Sequence, residues 1–227
     1  MAASEVIVGY QTYLDLIPEL LQGKEVLTSQ MMKEVERGRQ CLELAASGKR
    51  VALVSGGDPG IYAMAGLVFE LARERNDTIQ IKVIPGIAAL NACAARLGAP
   101  LMHDFAAISL SDLLTPWPLI EKRLMAAAMA DFVIVLYNPR SKKRTAHIER
   151  ARELILAQRA ADTPVGVVTA ATRENERITL TTLGQMLEAE ITMQSCVIIG
   201  NSMTFAWRDF MVTPRGYNSK YDIRGDR

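Results

Sequence analysis

Ser55-Gly56-Gly57-Asp58-Pro59-Gly60-Ile61-Tyr62, directly after the apolar run Val51–Val54, decides how this chain is read. A short Val-rich run, a glycine turn and an apolar helix expected near Ile61 together spell strand, turn, helix. In an open parallel sheet, ligands bind beyond the carboxyl ends of the strands. Paired glycines let the backbone bend and approach a ligand with no Cβ in the way. Asp58 offers an acceptor to ligand hydroxyl or amino groups. The plainer alternative makes Asp58 an N-cap and Pro59 the first helical residue. The stretch is not Gly-x-Gly-x-x-Gly, and no Lys-Ser/Thr follows it. A nucleoside without phosphates therefore suits it better than a dinucleotide or ATP.

Further runs of the same kind flank it: Val6–Val8, Ile79–Ile84, Phe132–Leu136, Val165–Val168 and Val197–Ile199. They are rich in Val and Ile, as buried strands are. Between them lie helical periodicities. Met31, Val35, Leu42 and Ala45 mark one face over Met31–Ala46; Ile148, Ala151, Leu154 and Ile155 mark one over Thr145–Ala160. Strands alternating with helices predict an α/β fold with mainly parallel sheets. Thr115-Pro116-Trp117-Pro118 interrupts regular structure, so two domains are expected, 1–106 and 107–227.

Other turns repeat the theme. Ile84-Pro85-Gly86-Ile87-Ala88-Ala89 ends one run and opens an alanine-rich helix; simple helix-on-sheet packing would explain it equally. Ser109-Leu110-Ser111-Asp112 sets hydroxyls and a carboxylate at the expected junction, a favoured place for a cleft; a capped helix start is the alternative. Tyr137-Asn138-Pro139-Arg140-Ser141-Lys142-Lys143-Arg144 gathers four cations before a helix, where they oppose its dipole unless an anion binds or they reach solvent. That turn reads as a docking patch for a polycarboxylate, with Arg140 able to grip a carboxylate through two hydrogen bonds, or as a plain solvated turn. Val168–Arg173 and Val197–Ser202 end the later runs in small residues.

Composition narrows the classes. A net charge of +1 gives no global attraction to nucleic acid or anionic membrane. No run approaches 18 apolar residues, so no membrane span is expected, and the start lacks a secretory pattern. Cys41, Cys93 and Cys196 are widely spaced, which suits reduced thiols in a cytoplasmic protein. With His103 and His147 the only histidines, no metal site is expected.

Taken in order, Gly-Gly-Asp-Pro-Gly-Ile-Tyr at 56–62, Pro-Gly-Ile-Ala-Ala at 85–89, Leu-Tyr-Asn-Pro-Arg at 136–140 and Ile-Gly-Asn-Ser at 199–202 resemble the tetrapyrrole (precorrin) methylases. Val-Gly-Tyr-Gln-Thr-Tyr at 8–13, residues 103–112 and Met-Val-Thr-Pro-Arg-Gly-Tyr at 211–217 point to its precorrin-3B C17-methyltransferase branch. The resemblance spans nearly the whole chain. It implies two α/β domains with an interdomain cleft, a homodimer, and S-adenosylmethionine as the cofactor. It implies methylation of a corrin-ring precursor at C17 with ring contraction, in cobalamin synthesis. Cofactor contacts would fall on Gly56, Gly57, Asp58, Ile61, Ala88, Ala89, Asn138 and Ala171; the tetrapyrrole would lie near Tyr10, Ser109, Ser111, Asp112, Arg140 and Lys142.

Methyl transfer from a sulfonium needs orientation and desolvation more than a protein nucleophile. Ring contraction needs proton movement, for which Asp112 and then His103 are the candidates. Family members begin with one more strand and a Gly/Pro-rich loop than this sequence has before Glu5–Val8. An N-terminally extended version is therefore expected to melt higher and bind cofactor more tightly; equal values would refute this. The competing readings are a methylase of the same fold acting on diphthine or ribosomal RNA, and a non-catalytic adenosine-ligand subunit. Near-neutral charge weighs against RNA. Whether the substrate carries cobalt stays open.

Overall fold

The computed structural model describes residues 1–30, 32–142 and 144–222. Met31 of the expected helical face and Lys143 of the basic turn lie outside the described residues. The elements in chain order are β1 (Val6–Tyr10), α1 (Gln11–Leu14), β2 (Glu25–Ser29), α2 (Glu34–Ala46), β3 (Val51–Val54), α3 (Ala65–Glu74), α4 (Ala89–Leu97), β4 (Gly98–Ala99) and β5 (Phe105–Ser109). There follow α5 (Trp117–Met129), β6 (Val133–Tyr137), α6 (Ala146–Leu156), β7 (Pro164–Thr169), β8 (Arg177–Thr182), β9 (Ser195–Ile199), β10 (Phe205–Trp207), β11 (Phe210–Val212) and α7 (Tyr217–Lys220). They form two compact units, Met1–Ala88 and Ala89–Arg227.

The first unit holds a parallel sheet in the order β2-β1-β3. Val6, Ile7 and Val8 at its centre are fully buried, as a strand covered on both faces requires. Val6 and Val8 pack with Cys41 of α2 and with Leu27, Leu44, Val51 and Leu53. Burial raises the Cys41 thiol to about 12, so it is an inert core residue. Gly38 lets α2 and α3 close: a Cβ there would sit 2.7 Å from Leu71 Cδ1.

Two expectations fail here. Ile79–Ile84 forms no ladder strand, although its Val/Ile content suits one. Among the described residues β3 pairs with β1 alone, and a hollow of about 540 Å³ is lined by Val51–Ser55 on one side and Ile79–Gly86 on the other. Strand propensity without a hydrogen-bonding neighbour makes no strand. The helix expected near Ile61 begins only at Ala65. The intervening turn takes Tyr62 to φ +51°, in the left-handed region.

The second unit is built on a five-stranded sheet in the order β5-β6-β9-β7-β8. Only β5 and β6 pair in parallel; the β6–β9, β9–β7 and β7–β8 ladders are antiparallel. The expected parallel character thus holds for the first unit, and the second sheet is mixed. Continuous apolar runs report burial on both faces, which a covered antiparallel strand shares. The core joins Ile120 and Leu124 of α5, Ile148 and Ile155 of α6, and Ile134, Leu136, Val167, Val197 and Ile199 of the sheet. A small sheet, β10-β11-β4, completes the unit.

The second unit also claims residues 89–106, so the compact units divide earlier than the expected 106/107 boundary. The cause is packing: Leu97 of α4 presses on β7 where Gly166 lacks a side chain, and a Cβ there would lie 2.2 Å from Leu97 Cδ1. Gly166→Ala should therefore cost about 1–3 kcal/mol of stability through overpacking. A urea melt reads this as a lower midpoint, and an unchanged midpoint would contradict the packing argument.

Candidate functional site

In the first unit β1 and β3 run side by side, so Tyr10 and Ser55 emerge at one edge of the sheet. Tyr10 meets Tyr13 edge to face at 5.4 Å. The Tyr13 ring lies against Gly56, where an added Cβ would come within 2.6 Å of it. The two glycine turns are clasped together by Asp58. Its Oδ1 accepts from the Gly60 N–H at 2.8 Å and its Oδ2 from the Gly86 N–H at 3.0 Å. Asp58 is thus not the N-cap of α3, since that helix starts seven residues later. It is a bridge, and the Gly86 and then the Gly60 N–H hold its carboxyl below the ordinary carboxylate range. Gly86 is obligatory for this approach: a Cβ would stand 2.2 Å from the Gly57 carbonyl oxygen.

Gly57, Pro59, Pro85 and Gly86 line the same hollow, so the two turns do face one space. Ser55 lines it too, and its Oγ is buried with no hydrogen-bond partner among the described residues. A buried hydroxyl without a partner carries a desolvation cost that a polar ligand atom would relieve. Sequence reasoning passed over Ser55, because a serine beside two glycines looks like ordinary turn chemistry. Ile61 is partly exposed beyond Asp58, and Ala88 is buried.

In the second unit strand direction arranges the site. β5 and β6 are parallel, and β7 is antiparallel to β9, which is antiparallel to β6. The three strands β5, β6 and β7 therefore point the same way. Their carboxyl-terminal loops, Ser109–Asp112, Asn138–Arg144 and Ala170–Glu176, share one sheet edge. Asn138 takes φ +49°, Ala170 +51° and Thr172 +64°. Left-handed non-glycine residues are costly and gather where a loop is over-determined by its surroundings.

Hydrogen bonds fix these loops. Asn138 Nδ2 donates to Ser109 Oγ at 3.0 Å, and the Ser111 N–H donates to the same oxygen at 3.2 Å. The Leu90 N–H donates to Tyr137 Oη at 2.8 Å, bringing Ala89 at the start of α4 to the end of β6. Glu176 accepts from the Thr172 N–H at 2.6 Å and from Arg96 at 2.6 and 2.8 Å, which ties the Ala171 loop to α4. These donors lower the Glu176 carboxyl from its usual range, the Thr172 N–H most.

The basic turn divides. Arg144 folds inward, donating to the Asn138 carbonyl at 3.0 Å and standing 3.7 Å from Asp112. Arg140 is half-buried and Lys142 exposed, and neither has a hydrogen bond or ion pair among the described residues. Asp112 also faces His147 Nε2 at 3.6 Å. His103 is not part of this group. It precedes β5 whereas Asp112 follows it, so a strand of roughly 17 Å separates them, and its ring Nδ1 accepts from the Asp104 N–H.

Ile199–Ser202 also falls away from the shared edge. β9 runs against β6, so Gly200 lies near the start of β6. Asn201 there is buried and bonded to Met203 and Thr204, a structural turn. Among the described residues no three His, Cys, Asp or Glu side chains are grouped to hold a metal, and no helix is long and apolar enough to cross a membrane.

Residues 1–187 match the family model described as Tetrapyrrole (Corrin/Porphyrin) Methylases. The chain is 51% identical over 217 residues to the "Probable cobalt-factor III C(17)-methyltransferase" of Salmonella typhimurium, covering 96% of this chain and 90% of that one. It is 49% identical over 224 residues to the "Cobalt-factor III methyltransferase" of Priestia megaterium, covering 97% of this chain but only 42% of that longer protein. The crystal structure of the methyltransferase CobJ superposes with a TM-score of 0.86 at 36% identity, covering 94% of this chain and 90% of that one.

The clasp has a pH signature. A carboxyl held below its unfolded value stabilises the fold above the unfolded value, near 3.9, and that stabilisation is lost as pH falls through the folded value. Asp58→Asn should melt below the parent protein at pH 7, and the gap should close as the pH is lowered through the folded value. A gap that persists unchanged as the pH is lowered would show that the carboxylate charge is not what joins the two turns.

Proposed function

The chain belongs to the tetrapyrrole (corrin/porphyrin) methylases, and we propose that within this family it methylates a corrin-ring precursor at C17, with contraction of the macrocycle, as a step of cobalamin synthesis. The observation that carries this reading is the shared edge of β5, β6 and β7. Arg140 and Lys142, which have no partner among the described residues, stand on the loop after β6, and Asp112 on the loop after β5 is held by Arg144 and His147. A macrocycle bearing several carboxylates needs such cations at its rim, and its rearrangement needs a proton donor or acceptor over the ring. Relatives at 49% and 51% identity carry names that specify cobalt-factor III, so the cobalt-bearing macrocycle is the substrate we favour.

S-adenosylmethionine, when bound, supplies a methyl group already activated on sulfur. The residues present suit it. The orphaned Ser55 Oγ and the exposed backbones at Gly57 and Gly86 offer polar contacts to an adenosyl ligand. In the first unit we assign it to Gly56, Gly57, Asp58, Ile61 and Ala88. Ser109, Ser111, Arg140 and Lys142 of the second unit take the tetrapyrrole. Asp112 moves a proton at the ring.

The protein works, in this reading, as a cytoplasmic homodimer that binds no nucleic acid. Among the described residues β10 is an outer strand, and this supports self-association: Phe205 and Trp207 are about half exposed, as is Phe210 on β11, and an apolar edge favours a partner.

Incubation with S-adenosylmethionine and cobalt-factor III, and separately with precorrin-3B, should give a product one methyl heavier with a changed absorption spectrum. Binding of S-adenosylmethionine with no product from either would favour a non-catalytic subunit. Arg140→Ala should raise KM for the tetrapyrrole about tenfold. Asp112→Asn should lower kcat about 10²-fold with cofactor affinity intact; an unchanged kcat would remove Asp112 from the chemistry.

A further inference from the structure

His147 was not singled out by any pattern in the sequence, yet the structure equips it more fully than either of the acid–base candidates. It sits in the first turn of α6. Its ring stacks on Trp117 of α5, with centroids 4.0 Å apart and planes inclined by 16°. Its Nδ1 lies 3.1 Å from the Leu110 carbonyl oxygen. A carbonyl only accepts, so Nδ1 carries a hydrogen. The stack fixes the plane of the ring and the Nδ1–H bond fixes its rotation, and Nε2 is thereby aimed at Asp112 Oδ2, 3.6 Å away.

Three elements cooperate in this. Leu110 and Asp112 belong to the loop after β5, Trp117 starts α5, and His147 starts α6. Arg144 holds the other oxygen of the same carboxylate, Oδ1, at 3.7 Å. Among the described residues, Arg144 and His147 are the charged or titratable groups at ion-pair distance from Asp112. A neutral Nε2 presents a lone pair, and a lone pair facing a carboxylate repels it. A proton between the two atoms turns that repulsion into attraction. The arrangement is a carbonyl–histidine–carboxylate chain in which the outer carboxylate is the partly exposed member.

We propose that His147 is the positioning residue for Asp112: it aims the carboxylate and replaces the proton that Asp112 gives up. The balance is simple. One proton lies between Asp112 Oδ2 and Nε2; Asp112 passes it to the macrocycle, which leaves a carboxylate and a neutral Nε2, and the ring, about one-fifth exposed, takes the replacement proton from water. The Nδ1–H bond to Leu110 stays intact throughout. Separations a few tenths of an ångström beyond hydrogen-bonding range are usual before substrate is bound. This inference rests on the proposed function, since it needs Asp112 to act on a tetrapyrrole.

The test uses the full chain with two variants. His147→Ala empties the space beside Trp117, and His147→Phe fills it without nitrogens. Both should lower kcat about 10²-fold, with KM for the tetrapyrrole and Kd for S-adenosylmethionine within about threefold of the parent values. Added imidazole should restore about tenfold of the loss in His147→Ala and none in His147→Phe. A folded variant with parental kcat overturns the proposal. So does loss of kcat in parallel with KM and Kd and without imidazole rescue, which is the mark of a structural residue. If His147→Ala does not fold, the Phe variant carries the kinetic arm. Nitrogen-15 NMR of the free parent protein should find hydrogen on Nδ1, and a ring protonated on Nε2 alone overturns the geometry. If the parent protein methylates no tetrapyrrole, the functional reading has failed, whereas the NMR arm still judges the hydrogen-bonded chain on its own.

Discussion

The register between β5 and β6 is the constraint on which the second unit depends. Ser109 lies opposite Tyr137, so the loops that follow leave the sheet side by side. Nothing in either loop needs to reach far. Asn138 meets Ser109 across one strand spacing, and Asp112 comes within range of groups on the loop after β6 and on α6. Slipping the pairing by one residue would turn every side chain of a strand to the opposite face. The fully buried run Val133–Leu136 makes such a slip costly. A hydrophobic requirement deep in the sheet thereby sets the geometry of polar groups at its edge.

The first unit solves a similar problem differently. Its two glycine turns are joined by one carboxylate accepting from two backbone N–H groups, and by a glycine whose missing Cβ admits the neighbouring backbone. The clasp uses the very side chain that the sequence offered as a ligand contact. One carboxylate has lone pairs enough for both tasks, yet its position is determined by the protein first. The buried Ser55 hydroxyl, which satisfies nothing within the unit, is the better sign that a ligand is expected there.

Much of the candidate site was legible in the chain. Gly57, Ser109, Asn138 and the Ala171 loop each fall where a strand ends, and Gly86 and Ala89 follow an apolar run that forms no strand, because short Val/Ile runs closed by small residues are visible without coordinates. The residues that were missed lack such a signal. His147 has no motif around it, and its partners Leu110, Asp112 and Trp117 lie 30 or more positions earlier. His103 and Ile199–Ser202 also adjoin strands. Their residue types suit a site, but strand direction carries them to the other end of the sheet.

The sequence by itself determined the family, the α/β alternation and most of the strands, since these follow from local composition and from motifs kept in order. Tertiary structure decided what local pattern does not encode. It gave the second sheet its mixed directions, denied a strand to Ile79–Ile84 for want of a neighbour, and placed α4 with the second unit through the contact of Leu97 on Gly166. It also chose which histidine faces Asp112. Periodicity reports whether a residue is buried; which strand lies beside it, and in which direction, depends on pairing between segments far apart in the chain.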